Sequence, residues 1–587
     1  MTTSSDNQLF QDFLPVSWEE WKARATADLR DIPYDRIRWK TPDGFLLEPR
    51  YAADNMHMPP GACTAKSHNG WNNCRRIPVT NCRSANTEAL TALSDDATAL
   101  EFSITSPDLC NKENLELLFE SIHFPATAIY LSGSVGDPHR LLENLASITA
   151  FSENKGGLLT EVQKNTRELF SAARSLSEFR FLAIDTLPWH ERGATPSQEI
   201  ALALAGVSDL MNRFIAQDVA PERIAAAIEI VMAAGSSHFV ELAKPRAFRS
   251  LYPFVLKAYG APENASTVLF ARISSKNRSL LDPFTNVLRQ TTGAISSILG
   301  GYDSLQIDPF DNGISVSLND AERISANIHL ILKEESFLDR VNDPAAGSYY
   351  IETLTAELAA TAWKQFVEIE AAGGLAEAIK NGMVPDAIAR AASSARKNIE
   401  NRKKNLIGVN RYLWPLTVGQ EEQLDALQNA AETARNTSET TSFELLRLKA
   451  ERHRITTGSI PSVFIWLSGD PALGIRQASF MEDFFRCGGF GIAGTALLDA
   501  DSSSCATALE NNPSIVALCV AEKDPVPAAE TICMTIRKQL PGAIIVMAGK
   551  PPEGHERLLA AGLDSFVYTS INVLAMLQSY HLKTGIQ

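Results

Sequence analysis

From about residue 85 onward, short apolar runs alternate with helical patterns for about 300 residues, and few folds accommodate that rhythm. The runs ALEFSI (99–104), ATAIYLSG (126–133), FRFLAIDT (179–186), HFVEL (238–242), STVLFARI (266–273) and SLQID (304–308) have strand length and strand composition. Between them lie NLELLFESI, RLLENLASITAF, EIALALAGVSDLMNRFIAQ and ERIAAAIEIVMAA, with apolar residues at helical spacing. Strands alternating with helices imply a parallel sheet. Over this length a closed (β/α)8 TIM barrel is the most economical solution, and an open sheet is the less economical one.

A second rhythm of the same kind occupies the last ~130 residues: SVFIWLS (462–468), GIAGTALL (491–498), SIVALCV (514–520), AIIVMAG (543–549) and SFVYTS (565–570), with helices between them, including a short one after GIAGTALL. That pattern reads as a flavodoxin-like doubly wound domain, whose ligands sit at the carboxyl ends of the strands. Between the two alternating regions the chain is helical. LTAELAATAWKQFVEIEAAGG is Ala-rich and stopped by Gly373-Gly374, and polar sequence at 413–458 reads as a helical connector. Ahead of the barrel, one amphipathic stretch from Phe13 to Leu29 carries Trp18 and Trp21. The expected division is an N-terminal arm (1–40), a barrel domain (41–412), a helical linker (413–458) and a doubly wound domain (459–587).

Composition narrows the function. A net charge of −15 argues against binding a nucleic-acid backbone, which needs clustered Lys and Arg. No run approaches the eighteen apolar residues of a membrane span, and the acidic N-terminus resembles neither a secretory signal nor a transit peptide, so a soluble cytoplasmic protein is expected. Eight cysteines without CxxC or zinc spacing suit reduced thiols, with Cys519 in the core.

Several segments resemble the methylmalonyl-CoA mutase family, in order along most of the chain. They are LLDPFTNVLRQTTGAISSILGGYDSLQIDPFD (280–311), DPAAGSYYIETLTAELAATAWKQF (343–366), GGLAEAIKNG (373–382), LIGVNRY (406–412), FVELAK (239–244) and, near the C-terminus, AIIVMAGKPPEGHERLLAAGLDSFVYTS. The resemblance implies a substrate barrel facing a cobalamin domain. In catalytic members adenosylcobalamin supplies a radical for the rearrangement of methylmalonyl-CoA to succinyl-CoA, while the protein binds and orients.

The sequence departs from that pattern at two places. The family's Asp-x-His-x-x-Gly, whose His ligates cobalt from below, corresponds to SGDPALGIRQASF (468–480). Asp470 keeps the Asp position, but Ala472 stands two residues on; pinned instead at Gly489-Phe490, the three positions fall on Ala472, Gly474 and Gln477. His453 and His555 are the nearest histidines, and His555, in the fourth loop, is the one conceivable substitute. In the barrel, the stretch matching the family's thioester-binding His, VLFARISSKNRSLLDP (268–283), has none; His238 and His329 lie in other elements. Asp303 and Gln306 stand where the catalytic family has Gln and His, and neither Arg213 nor Arg223 is in register with its carboxylate-binding Arg.

The strands also carry bulk at Phe102, Ile104, Ile129, Leu131, Phe181 and Phe270, which suggests a filled bore if they face inward and is uninformative if they face the helices. No catalytic, cofactor-binding or metal-binding residue is therefore assigned. The family includes a small chain of this build that pairs with a large catalytic chain. The resemblance implies that role, with adenosylcobalamin and the acyl-CoA on the large subunit and the Trp18/Trp21 arm part of the contact. A competent mutase with an unusual cobalamin mode, and a stand-alone CoA-ester or regulatory module, are the alternatives.

Overall fold

The computed structural model describes residues 16–61, 66, 69–161, 166–265, 267–312, 320–414, 416, 421–498 and 512–587. After a short antiparallel pair, β1 (Trp39–Lys40) and β2 (Leu46–Leu47), eight parallel strands follow. These are β3 (Asn72–Val79), β4 (Ala99–Ile104), β5 (Ala128–Gly133), β6 (Gly157–Leu158), β7 (Leu182–Asp185), β8 (Ile228–Ala234), β9 (Val268–Ile273) and β10 (Ser304–Gln306). Apart from β6 and β7, each pairs with its neighbours in chain order, and β10 returns to pair with β3. A parallel bridge between Gly157 and Arg180, just ahead of β7, links the remaining two edges. This is the ring of a (β/α)8 barrel.

Two segments differ from the expectation. IEIVMAA, read as the end of a helix, is β8; the helix stops at Ala227. All seven residues of β8 are buried, so the strand lacks the alternation that would have marked it. Conversely, HFVEL begins the 21-residue helix His238–Ala258, whose buried side packs against the Pro196–Ile215, Pro283–Gly300 and Tyr349–Ala371 helices. The rhythm also starts earlier than expected, at β3. Its sequence NNCRRIPV hides a strand because four polar residues interrupt it: Arg75 reaches outward to Glu322 of the Ala321–Leu330 helix (3.0 Å), while Arg76 approaches Glu101 (3.7 Å).

Five more parallel strands, β11 (Ser462–Gly469), β12 (Gly491–Leu497), β13 (Ile515–Ala521), β14 (Ile544–Ala548) and β15 (Ser565–Val567), form a second sheet in the order β12-β11-β13-β14-β15. One apolar layer, including Phe484, Phe485 and Leu577, covers one face, and a second, including Trp466 and Ile532, covers the other. The short helix expected after β12 falls on residues 499–511, outside the described residues.

The connector forms two helices, Glu421–Thr433 and Thr441–Thr457. The second is fixed to the barrel by buried Glu444, which accepts hydrogen bonds from Ser279 Oγ (2.7 Å) and Leu280 N–H (2.8 Å). Its other side contributes Phe443 and Leu446 to the core of the second sheet. At the N-terminus, Trp18–Leu29 is a helix closed by a Ser17/Glu20 capping box; none of its residues is buried, and Trp18 and Trp21 stack at 5.3 Å. The six cysteines among the described residues are free and buried, Cys519 included.

Candidate functional site

In a barrel of this kind chemistry belongs at the carboxyl ends of the strands, so the bore and that mouth are the place to look. Strand alternation sends Ala128, Tyr130 and Ser132 of β5 inward, and Phe270 and Arg272 of β9 with them. The bore is packed: Cys74, Ala99, Tyr130, Leu159, Val231 and Phe270 form a closed apolar cluster. The rings of Tyr130 and Phe270 meet edge to face at 5.0 Å, and Tyr130 Oη shares a hydrogen bond with Ser304 Oγ (2.8 Å). Of the six bulky residues singled out in the sequence, only Phe270 points into the bore. Phe102, Ile104, Ile129, Leu131 and Phe181 belong to the layer between sheet and helices.

Charged groups lie above and below this plug. Toward the mouth, fully buried Glu101 pairs with Arg272 at 2.7 Å, approaches Arg76 at 3.7 Å and accepts from Ser132 Oγ. Toward the opposite end, Glu229 is fully buried, and burial raises its carboxyl to about 8, against a smaller opposing pull from Arg180. Neither of its oxygens has a hydrogen-bond partner among the described residues. A neutral carboxylic acid is the state that such a site tolerates.

The mouth is a cavity of about 490 Å³, lined among others by Arg76, Arg272, Arg278, Gln306 and Asp308. Its cations are matched internally: Arg272 by Glu101 and Arg278 by Asp308 (3.1 Å). Ala430, Thr433, Ala434 and Thr437, from the connector, form one wall. Lys276 holds the segment after it, pairing with Glu439 at 3.3 Å while its carbonyl accepts from Glu439 N–H (2.8 Å).

Beside the mouth is a group that the sequence reading missed. His190 lies between Glu199 (Nδ1 to Oε1, 2.7 Å) and Ser274 Oγ (Nε2, 2.8 Å), the order of a nucleophile, base and orienting acid. Ser274 Oγ, however, already accepts from Lys276 N–H, and Ser274 does not line the mouth cavity. Glu199 is engaged by Lys244 as well, which also reaches Glu241 (2.7 Å) and the Ala233 carbonyl (2.6 Å). Burial alone would raise the Glu199 carboxyl, but Lys244 and His190 overcome it and hold it below the ordinary range. The arrangement ties the ends of β8 and β9 to three helices, Leu187–Glu191, Pro196–Ile215 and His238–Ala258.

The other singled-out residues disperse. His238 starts its helix with Nδ1 hydrogen-bonded to Ser296 Oγ (2.7 Å). His329 is buried beside Trp71, whose Nε1–H donates to its Nδ1 (3.1 Å), and burial holds its pKa down at about 3. Asp303 and Gln306 sit at opposite ends of β10: Asp303 pairs with Arg249 (2.9 Å) beneath the barrel, and Gln306 reaches the mouth. Arg213 pairs with Asp209, and Arg223 caps the Phe170 carbonyl (3.1 Å).

In the second sheet Asp470 follows β11 but serves as the N-cap of the Pro471–Cys487 helix, accepting from Ala472 N–H at 2.8 Å. A carboxylate used that way is not orienting an imidazole, and Gly474 and Gln477 lie on the same helix. His453 lies on the connector helix. His555 donates from Nδ1 to the Pro552 carbonyl (3.1 Å) and packs on Phe566, as a surface His at a helix start does. The donors near β11 thus do not fit a lower axial cobalt ligand. Among the described residues, no group of three or more His, Cys, Asp or Glu could hold a metal ion. No helix among them is long and apolar enough to cross a membrane.

With this geometry in hand, the comparisons are informative. A family model described as methylmalonyl-CoA mutase matches residues 160–457, from just after the barrel's fourth strand to the end of the connector. The methylmalonyl-CoA mutase small subunit of Porphyromonas gingivalis is 28% identical over 99% of both chains. That of Streptomyces virginiae is 31% identical over 69% of this chain and 65% of its own. The large subunit from P. gingivalis is 31% identical, over 44% of this chain and 36% of its own. The match covers half of the chain, the second half of the barrel with the connector, and by it the chain belongs to the methylmalonyl-CoA mutase family.

Proposed function

We propose that this chain is the non-catalytic small subunit of a heterodimeric, adenosylcobalamin-dependent methylmalonyl-CoA mutase. Cofactor and acyl-CoA reside on a large subunit, and this chain stabilises the complex from the cytoplasm. The observation that carries the reading is the bore. A pantetheine arm threading the barrel would have to displace the Tyr130–Phe270 pair and break the buried Glu101–Arg272 ion pair. Breaking such a buried pair costs about 3–5 kcal/mol, which a threading chain would have to offset.

The second sheet supports it from another direction. Its strand order is that of flavodoxin-like domains, and we read residues 459–587 as a degenerate cobalamin-binding domain. The remaining divisions follow as an arm at 1–40, a barrel domain at 41–412 and a linker at 413–458. No residue is assigned a catalytic, cofactor or metal role. The exposed helix with Trp18 and Trp21 is the part of the partner contact we favour.

Co-expression with the large subunit tests the reading. The two chains should co-purify in equal amounts, and the large chain should lose thermal stability when prepared alone. Independent elution of the two chains with no mutual effect would refute it.

A further inference from the structure

A second cavity, of about 580 Å³, lies between residues 401–413, the Pro471–Cys487 helix and the loop that follows β15, and shares no lining residue with the barrel mouth. It differs from the mouth in charge. Arg402, Lys403, Arg411, Arg476 and Arg486 line it, against two carboxylates, Glu482 and Asp483. Glu482 is taken by Arg486, and Asp483 by Arg402, with Arg411 at 3.9 Å. Lys403 and Arg476 have no ion pair among the described residues. A surplus of cations in one cleft stands out in a chain of net charge −15.

Arg402 is built into its wall. Its side chain is 10% exposed, and its Nη1 is buried without a hydrogen-bond partner among the described residues, as is Nε of Arg486 in the same cleft. An unmet donor on a buried guanidinium costs free energy unless an acceptor reaches it. Hydroxyls of Ser479, Thr569 and Ser570 line the same cleft, and so do the rings of Tyr412, Phe480 and Tyr568. Arg402, Tyr412 and Ser570 all hold positive φ (52°, 53° and 87°), a backbone state that non-glycine residues adopt at a cost and that clusters at ligand sites. Guanidinium groups pair with phosphate oxygens two at a time, and aromatic faces accept a base.

We propose that this cleft binds a ligand carrying two or more phosphates beside an aromatic base, a nucleotide. The phosphates lie against Arg402, Lys403 and Arg476, and the base lies against Tyr412 or Tyr568. The site is independent of the mutase reading, since it uses none of the barrel mouth.

The test is calorimetric titration of the full-length chain, without its partner, with ATP, GTP, coenzyme A and inorganic tripolyphosphate. At least one nucleotide should bind, more weakly as salt rises, and the tightest of the three identifies the source of the phosphates. Lys403 and Arg476 are exposed, so the pair of changes Lys403→Glu and Arg476→Glu should leave the thermal midpoint unchanged yet lower affinity at least tenfold. Tyr412→Ala should weaken nucleotide binding several-fold and leave tripolyphosphate as it is. Absence of binding, equal binding by the charge-reversed chain, or tripolyphosphate binding as tight as any nucleotide would each overturn the proposal.

Discussion

The barrel mouth and the cleft beside β15 are both polar cavities rich in arginine, yet they differ in who answers the charge. In the barrel, Arg272 faces Glu101 and Arg278 faces Asp308, so the protein is its own counter-ion. In the cleft, Lys403 and Arg476 find no carboxylate among the described residues. A side chain's type says little about whether it can meet a ligand; what it is already paired with says more. The mouth, where a mutase of this family would do its chemistry, is closed on itself, and the cleft is open.

The comparison breaks most sharply at Arg272. Arg272→Leu leaves buried Glu101 with only Arg76, at 3.7 Å, for a cation, and a loss of about 3 kcal/mol is expected. Changing both residues to Leu should recover most of it. Thermal or denaturant melts of the two variants measure this, and equal melting of single variant and wild type would mean that the pair does not hold the bore.

Glu229 tests the same region through pH. Its folded pKa is raised to about 8, whereas the unfolded carboxyl ionises near the ordinary 4.5. Between those values the folded state holds a proton that the unfolded state has released. The stability that this proton brings is complete below about pH 4.5 and is lost as pH rises through 8. Glu229→Gln keeps a neutral group and removes the dependence. The wild-type chain should therefore lose on the order of 3 kcal/mol relative to the variant between pH 5 and 8.5. Parallel pH profiles of the thermal midpoint would contradict it.

The smaller effects lie in the second sheet. Asp470→Ala removes a helix cap and should cost about 1 kcal/mol, read from the same melts. If Asp470 instead had a cofactor role, the change would matter only with cobalamin present. Arg476→Ala, in contrast with Arg272→Leu, should alter stability by less than about 0.5 kcal/mol, because an exposed and unpaired side chain holds nothing in place.

Much of this architecture was legible. The five strands of the second sheet stand where the apolar runs placed them, because turn residues bound each run. In the barrel the misread pair was IEIVMAA and HFVEL: a strand buried on both faces looks like the continuation of a helix, and a helix entered through aromatic residues looks like a strand. β6, two residues long, has no periodicity to detect. The bore could have been anticipated more directly. Glu101, Glu229 and Arg272 each sit inside an apolar strand run at the inward positions, and charges placed there must pair or stay neutral. The His190–Glu199–Ser274–Lys244 cluster was out of reach, since its members come from four elements and only folding brings them together.

The central claim, that this chain contributes fold and interface rather than chemistry, is tested most directly by titrating the isolated full-length chain with adenosylcobalamin and then supplying methylmalonyl-CoA. The account predicts no change in the cobalamin spectrum and no succinyl-CoA from this chain alone, with turnover appearing once the large subunit is added. Stoichiometric cobalamin binding, or turnover by the isolated chain, would contradict it.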